Sequence, residues 1–98
     1  MTRAIELDPA RELAWYFRGV ARLMQDDAEG ATSDMTRAIE LSPTLATAWH
    51  VRGEAWFKRG EWARAASDLE RSLELDPRSP DAPRIRSLLD EVRRRESR

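Results

Sequence analysis

Thr-Arg-Ala-Ile-Glu-Leu-Asp-Pro, at residues 2–9, recurs almost unchanged as Thr-Arg-Ala-Ile-Glu-Leu-Ser-Pro at residues 36–43. A looser copy, Glu-Arg-Ser-Leu-Glu-Leu-Asp-Pro, stands at residues 70–77. Both offsets are 34 residues, and the copies align without a gap. A fixed period of this length is typical of proteins that stack one small structural unit on the next. A repeated unit is therefore the first expectation for the fold.

The residues between these copies also repeat at the same offset. Matching groups are Ala14-Trp15 with Ala48-Trp49, Arg18-Gly19 with Arg52-Gly53, and Ala31, Ser33 and Asp34 with Ala65, Ser67 and Asp68. Each unit contains two apolar runs at helical spacing, with Asp26-Asp27 or Gly60 between them. Proline follows each second run and disfavours a helical conformation in the residue before it. The pattern predicts helices over about 11–24, 28–41, 46–59 and 62–75.

The repeat resembles the tetratricopeptide repeat, whose 34-residue signature is Trp-x2-Leu-Gly-x2-Tyr followed by Ala-x3-Phe, Ala and Pro. Residues that fill the signature are Trp15, Gly19, Ala31, Met35, Ala38 and Pro43 in one unit, and Trp49, Gly53, Trp56, Ala65, Leu69, Ser72 and Pro77 in the next. The resemblance covers residues 1–79. It implies an all-α fold, an α-solenoid of antiparallel helix pairs, in one domain over residues 1–98. Residues 1–9 would end a preceding repeat, and residues 10–43 and 44–77 would be two full units.

The two ends of the array are expected to differ. Residues 80–96 leave the signature, but Ile85, Leu88, Leu89 and Val92 fall on one helical face. We expect a capping helix there, because a solenoid needs a terminal element that covers its last apolar face. At the other end a half-unit with Ala4, Ile5 and Leu7 cannot bury its own face. Either the chain is part of a longer array, or this face associates with another copy.

Two arginines depart from the family pattern in the same way. Arg18 and Arg52 stand where the family often has leucine. Asp34 and Asp68 each lie sixteen residues further on, within the second helix of the same unit. The duplication favours ion pairs Arg18–Asp34 and Arg52–Asp68 over two arginines that point to solvent, although such pairs can contribute little stability.

The resemblance also implies where a partner would bind, since the first helix of each repeat lines a concave groove. The corresponding residues are Leu13, Tyr16, Phe17 and Val20 in the first unit and Thr47, His50, Val51 and Glu54 in the second, with Met24 and Lys58 near the edge. The family's chaperone-tail receptors use Lys, Asn and Arg at such positions. This sequence has Tyr16, Val20 and Val51 there, which favours an amphipathic helix or an extended apolar peptide.

The composition argues against catalysis and against nucleic-acid binding. The chain has one histidine, no cysteine and four isolated glycines, so it offers no thiol, no His cluster for a metal and no phosphate-binding loop. We therefore expect no enzyme activity, no catalytic residue, no metal, no cofactor and no small-molecule substrate. The formal net charge of −1 disfavours nucleic-acid binding despite the basic C-terminal tail, Arg-Arg-Arg-Glu-Ser-Arg at residues 93–98.

The sequence shows neither a signal peptide nor an apolar run long enough to span a membrane, so the cytoplasm is the default expectation. The leading functional hypothesis is an adaptor or scaffold that binds a peptide or helix of a partner protein in the groove. The alternative is a structural spacer or self-association element that forms a homo-oligomer through the N-terminal half-repeat.

Overall fold

A computed structural model describes residues 9–97. Within that range the chain forms five α-helices and no β-strand. The helices are α1 (Pro9–Met24), α2 (Ala28–Leu41), α3 (Ala46–Lys58), α4 (Trp62–Leu75) and α5 (Ala82–Glu96).

The helices pack in chain order. The hairpins α1–α2 and α3–α4 are the two repeat units, α2 packs on α3 between them, and α5 packs on α4. The molecule is elongated, with extents of 51 × 28 × 19 Å. This arrangement, in which each element meets mainly its sequence neighbours, is that of a solenoid. The prediction of an all-α solenoid of antiparallel helix pairs is confirmed.

Local chemistry accounts for some of the helix ends and turns. The carboxylate of Asp27 accepts a hydrogen bond of 2.9 Å from the Gly30 backbone N–H and so caps α2. In the two intra-unit turns Asp26 and Gly60 have positive φ angles of 68° and 76°. The described part of the first helix already includes Pro9, two residues before the predicted start, because proline in a first turn loses no hydrogen bond that the helix would otherwise make.

The core consists of two clusters that cross unit boundaries. The first joins Met35, Ala38 and Ile39 of α2 to Ala48 and Val51 of α3. The second joins Ala65 and Leu69 of α4 to Ile85, Leu89 and Val92 of α5. The last helix therefore covers the apolar face of the second unit, as the pattern of residues 80–96 predicts.

Glycine permits the close contact within the second hairpin. A Cβ at Gly53 would lie 2.9 Å from Leu69 Cγ, which is closer than real Cβ atoms approach. The helices α3 and α4 can therefore reach their observed separation only without a side chain at this position.

Candidate protein-binding groove

The carboxyl-terminal ends of α1 and α3 enclose a cleft of about 390 Å³. Its lining residues are Val20, Leu23, Met24, Asp26, Val51, Glu54 and Lys58. The structure thus brings together Val20, Val51 and Glu54 from the predicted groove, with Met24 and Lys58 from its predicted edge. Apolar side chains from both helices lie beside carboxylates and an ammonium group, which suits a ligand with an apolar surface and a polar rim.

Leu23 and Asp26 were not among the predicted groove residues. Asp26 stands at the position that Gly60 holds in the second unit. The sequence could have singled out Asp26, because a residue other than glycine pays a conformational cost at a repeat position with a positive φ. Leu23 gave no separate signal, because its spacing suits the core equally well.

His50 and Glu54 form the polar part of the groove wall on α3. His50 Nε2 lies 3.6 Å from Glu54 Oε1, one helical turn away. The distance exceeds that of a hydrogen bond, and the pair attracts electrostatically only when the imidazole is protonated. His50 is largely buried, whereas the Glu54 side chain is about one-third exposed. Of the two, Glu54 is the group that a ligand can reach.

The remaining predicted groove residues divide between surface and core. Leu13, Phe17 and Thr47 are exposed, and Tyr16 is half-buried against the first core cluster. The rings of Tyr16 and Phe17 meet edge to face, with centroids 5.4 Å apart. Val51 is both groove wall and core, because it belongs to the first core cluster.

Each unit contains an arginine bound to a buried aspartate. Arg18 Nε lies 3.0 Å from Asp34 Oδ2. Arg52 uses two nitrogens on Asp68, with Nε–Oδ2 at 2.7 Å and Nη2–Oδ1 at 3.0 Å. Arg22 also reaches Asp34, at 3.4 Å, and was not predicted to do so. These arginines satisfy buried carboxylates, so their role in the hairpins is structural.

The tryptophans are covered by arginines. The guanidinium carbon of Arg52 lies 5.0 Å from the Trp49 ring centroid, and that of Arg59 lies 4.9 Å from the Trp56 centroid. Trp49 Nε1 donates a hydrogen bond of 2.9 Å to the Pro43 carbonyl oxygen. Because guanidinium groups lie over their ring faces, these tryptophans contribute to packing and do not form an open aromatic cage.

The basic end of α5 is paired with carboxylates. Hydrogen bonds from Arg95 and Arg94 lower the pKa of Glu91 from 4.5 to about 2. Arg93 pairs with Glu70 of α4. These contacts offset much of the tail's positive charge, which weakens its attraction for a polyanion.

The described part of the chain offers neither a metal-binding cluster nor a membrane-spanning helix. Residues 9–97 contain no group of three or more histidine, cysteine or acidic side chains placed to hold a metal ion. Over the same residues no helix has the length and apolar character that crossing a membrane requires. The predicted self-association residues Ala4, Ile5 and Leu7 lie outside the described residues.

Comparison with known proteins identifies a family and a solved structure with a similar fold. The sequence profile of the tetratricopeptide repeat matches residues 39–90. Among solved structures, the chain superposes on the UNC-45 chaperone, reported for features critical for binding and folding muscle myosin, with a TM-score of 0.81 and 29% identity. The match covers 98% of this chain but 11% of that one. No curated protein matches the sequence significantly.

Proposed function

The chain belongs to the tetratricopeptide-repeat family, a family of protein-interaction modules, and from this we propose that it is an adaptor or scaffold whose groove binds a segment of a partner protein. The segment is a peptide or a helix with an apolar face. It would lie between α1 and α3, where Val20 and Val51 form apolar walls and Glu54 provides a carboxylate.

The observation that carries this proposal is the cleft itself. Residues from two successive units line one continuous depression, although they are separated by about 30 positions in the sequence. Its small volume matches one or two side chains of a ligand, so the affinity of a single peptide should be modest. Further units of a longer array would extend the groove, and a longer ligand would then gain affinity from each.

The comparison with UNC-45 supports a protein partner in general terms. That chaperone binds and folds muscle myosin, and this chain resembles a segment of it. Because the chain spans 11% of that structure, the resemblance favours protein binding without specifying the partner.

The test is selection of peptides from a random displayed library, followed by affinity measurement with the full chain. Replacing Glu54→Lys together with Lys58→Glu inverts the polar rim of the cleft without removing a core residue. We expect this variant to bind the selected peptides at least about tenfold more weakly, equivalent to roughly 1.4 kcal/mol.

Glu40→Lys is the matched control, because Glu40 is an exposed acidic residue on α2 and does not line the cleft. It should leave the affinity unchanged. Peptides that bind the double variant as tightly as the wild type would refute the groove assignment.

Self-association is the second candidate function. Its predicted surface, Ala4, Ile5 and Leu7, lies outside the described residues. One observation within them favours it: of the four exposed large hydrophobic residues, Leu13, Phe17 and Met24 lie on α1 and only Leu41 lies elsewhere. Apolar side chains concentrated on one exposed helix often mark an interaction surface.

A further inference from the structure

The cleft between α1 and α3 is lined by more negative than positive charge. Among its lining residues, Asp26 and Glu54 carry carboxylates, whereas Lys58 carries an ammonium group. Asp26 lies two residues past the end of α1, and Lys58 is the last residue of α3. Each of these helix ends adds a partial negative charge of roughly half a unit, because the peptide dipoles are aligned along the helix. The cleft therefore favours a cation over an anion.

Neither carboxylate is neutralised by a permanent cation within the described residues. The ion pairs of residues 9–97 include neither Asp26 nor Lys58. Glu54 Oε1 lies 3.6 Å from His50 Nε2, and that imidazole is charged only when it is protonated. Lys58 lies one helical turn beyond Glu54, a spacing that allows an ion pair, but in the described structure the two do not form one. Both carboxylates can therefore accept hydrogen bonds from a ligand.

Three arginines of α1 and α3 do not offset this charge. Arg18 and Arg22 of α1 contact Asp34, and Arg52 of α3 contacts Asp68. Both aspartates are buried and belong to α2 and α4, the second helices of the two hairpins. Their guanidinium partners are thus already engaged, and none of the three arginines lines the cleft.

The apolar part of the cleft can adapt to side chains of different shape. Val20, Leu23 and Met24 come from α1, and Val51 comes from α3. Met24 is 82% exposed, and methionine is an unbranched, polarizable side chain that adjusts to its neighbours. Apolar contacts of this kind contribute affinity but discriminate weakly between ligands. The charged rim is therefore the part of the cleft that discriminates between partners.

We propose that the groove selects a basic segment of the partner protein, in which a lysine or arginine lies beside the apolar side chain that enters the cleft. The apolar side chain would contact Val20 and Val51, and the cation would approach Asp26 and Glu54 at the negative ends of α1 and α3. Charge complementarity decides the choice of partner, because an acidic segment would meet two carboxylates and only one ammonium group. The inference rests on the proposed function, since it states which segments the same groove binds.

The experiment uses the peptides that the full wild-type chain selects from the displayed random library. We expect lysine or arginine beside the apolar residues of these peptides more often than aspartate or glutamate. Each selected peptide is also made in a neutral form, with its basic residues replaced by glutamine. The neutral form should bind the wild-type chain about tenfold more weakly, because it lacks the cation that the two carboxylates attract.

A double variant, Asp26→Asn with Glu54→Gln, removes both negative charges and keeps the shape of each side chain. Asparagine also tolerates the positive φ angle of residue 26, so the turn after α1 should be retained. We expect this variant to bind the basic peptide about tenfold more weakly than the wild type does. It should bind the neutral peptide as tightly as the wild type, because that peptide has no cation to lose its partners.

Lys58→Gln tests the sign of the preference. It removes a charge that repels a basic ligand, and it should strengthen binding of the basic peptide about two- to threefold. Glu40→Gln is the matched control, because Glu40 is an exposed carboxylate outside the cleft, and it should leave the affinity unchanged.

Amide resonance shifts on adding the peptide separate this inference from the proposed function. Shifts at the ends of α1 and α3, with equal affinity of the wild type and the double variant, would keep the groove and overturn its preference for basic segments. Acidic peptides that Lys58→Gln weakens would have the same meaning. Peptides that shift only resonances elsewhere, or a library that yields no binding peptide, would overturn the groove and the preference together.

Discussion

At the scale of single residues, the two arginine–aspartate pairs differ in burial although they occupy identical repeat positions. The Arg52 side chain is 17% exposed and holds Asp68 with two hydrogen bonds. The Arg18 side chain is 54% exposed and holds Asp34 with one, and Arg22 helps to balance the same carboxylate. Loss of Arg52 should therefore be more destabilising than loss of Arg18, because only Asp34 can then be stabilised by water and by Arg22.

Replacing each arginine by alanine tests this difference. Arg52→Ala leaves a buried carboxylate without its partner and should lower the free energy of unfolding by about 3 kcal/mol. Arg18→Ala should cost less, about 1 kcal/mol, because Arg18 is itself half-exposed and Arg22 still reaches the buried Asp34 carboxylate. Urea unfolding followed by circular dichroism measures both. Equal losses of unfolding free energy would show that the exposure of the arginine side chain does not determine how much each pair stabilises the fold.

At the scale of helices, the closeness of each hairpin depends on its glycine. A Cβ at Gly53 would meet Leu69 at Cγ and Cδ2, both at 2.9 Å, near the branch point of a fully buried side chain. A Cβ at Gly19 would meet the terminal Cε of Met35 at 2.7 Å, which is the flexible end of that side chain. Methionine can move its end methyl group, whereas leucine cannot shift its branch point without moving the helix.

The stability changes caused by Gly53→Ala and Gly19→Ala should therefore differ in sign or size. Alanine gains roughly 1 kcal/mol over glycine in a helix interior, which offsets part of any clash. We expect Gly53→Ala to be at least about 1 kcal/mol more destabilising than Gly19→Ala, because overpacking at an unyielding site costs 1–3 kcal/mol. Thermal unfolding of the two variants decides the matter. A Gly19→Ala variant as unstable as Gly53→Ala would mean that Met35 does not adapt, or that the contact with Asp34 Cβ, at 3.2 Å, is not relieved.

At the scale of the whole molecule, the separate core clusters make stability local. The first lies between α2 and α3 and the second between α4 and α5. The described helices pack mainly on their sequence neighbours, so a defect at one end should have little effect at the other.

Leu89→Ala removes buried volume from the second cluster and should cost about 2–5 kcal/mol there. Hydrogen exchange should show reduced amide protection in α4 and α5, with α1 and α2 nearly unchanged. Met35→Ala, in the first cluster, is the reciprocal control and should reduce protection in α1, α2 and α3. A uniform loss across all five helices in the Leu89→Ala variant would instead indicate a single cooperative unit.

Most of the fold was predictable, because the repeat recurs at one offset and each helix carries its own apolar stripe. The predicted limits of α2 and α4 agree with the structure, and α3 ends one residue earlier than predicted, at Lys58. The residues of the groove were harder to predict from the sequence. Val20, Val51 and Glu54 could be named from repeat positions, but Leu23 gave no separate signal and joins the cleft only because the ends of α1 and α3 lie close together.

The sequence by itself determined the repeat, the helices, the capping role of residues 80–96 and the family, since these follow from local spacing. Burial was decided only by the tertiary structure. Phe17 and Val51 occupy the same repeat position, yet one is 63% exposed and the other 8%. The difference arises because a side chain is buried only when a neighbouring helix lies over it: α2 covers Val51, and no described helix covers Phe17.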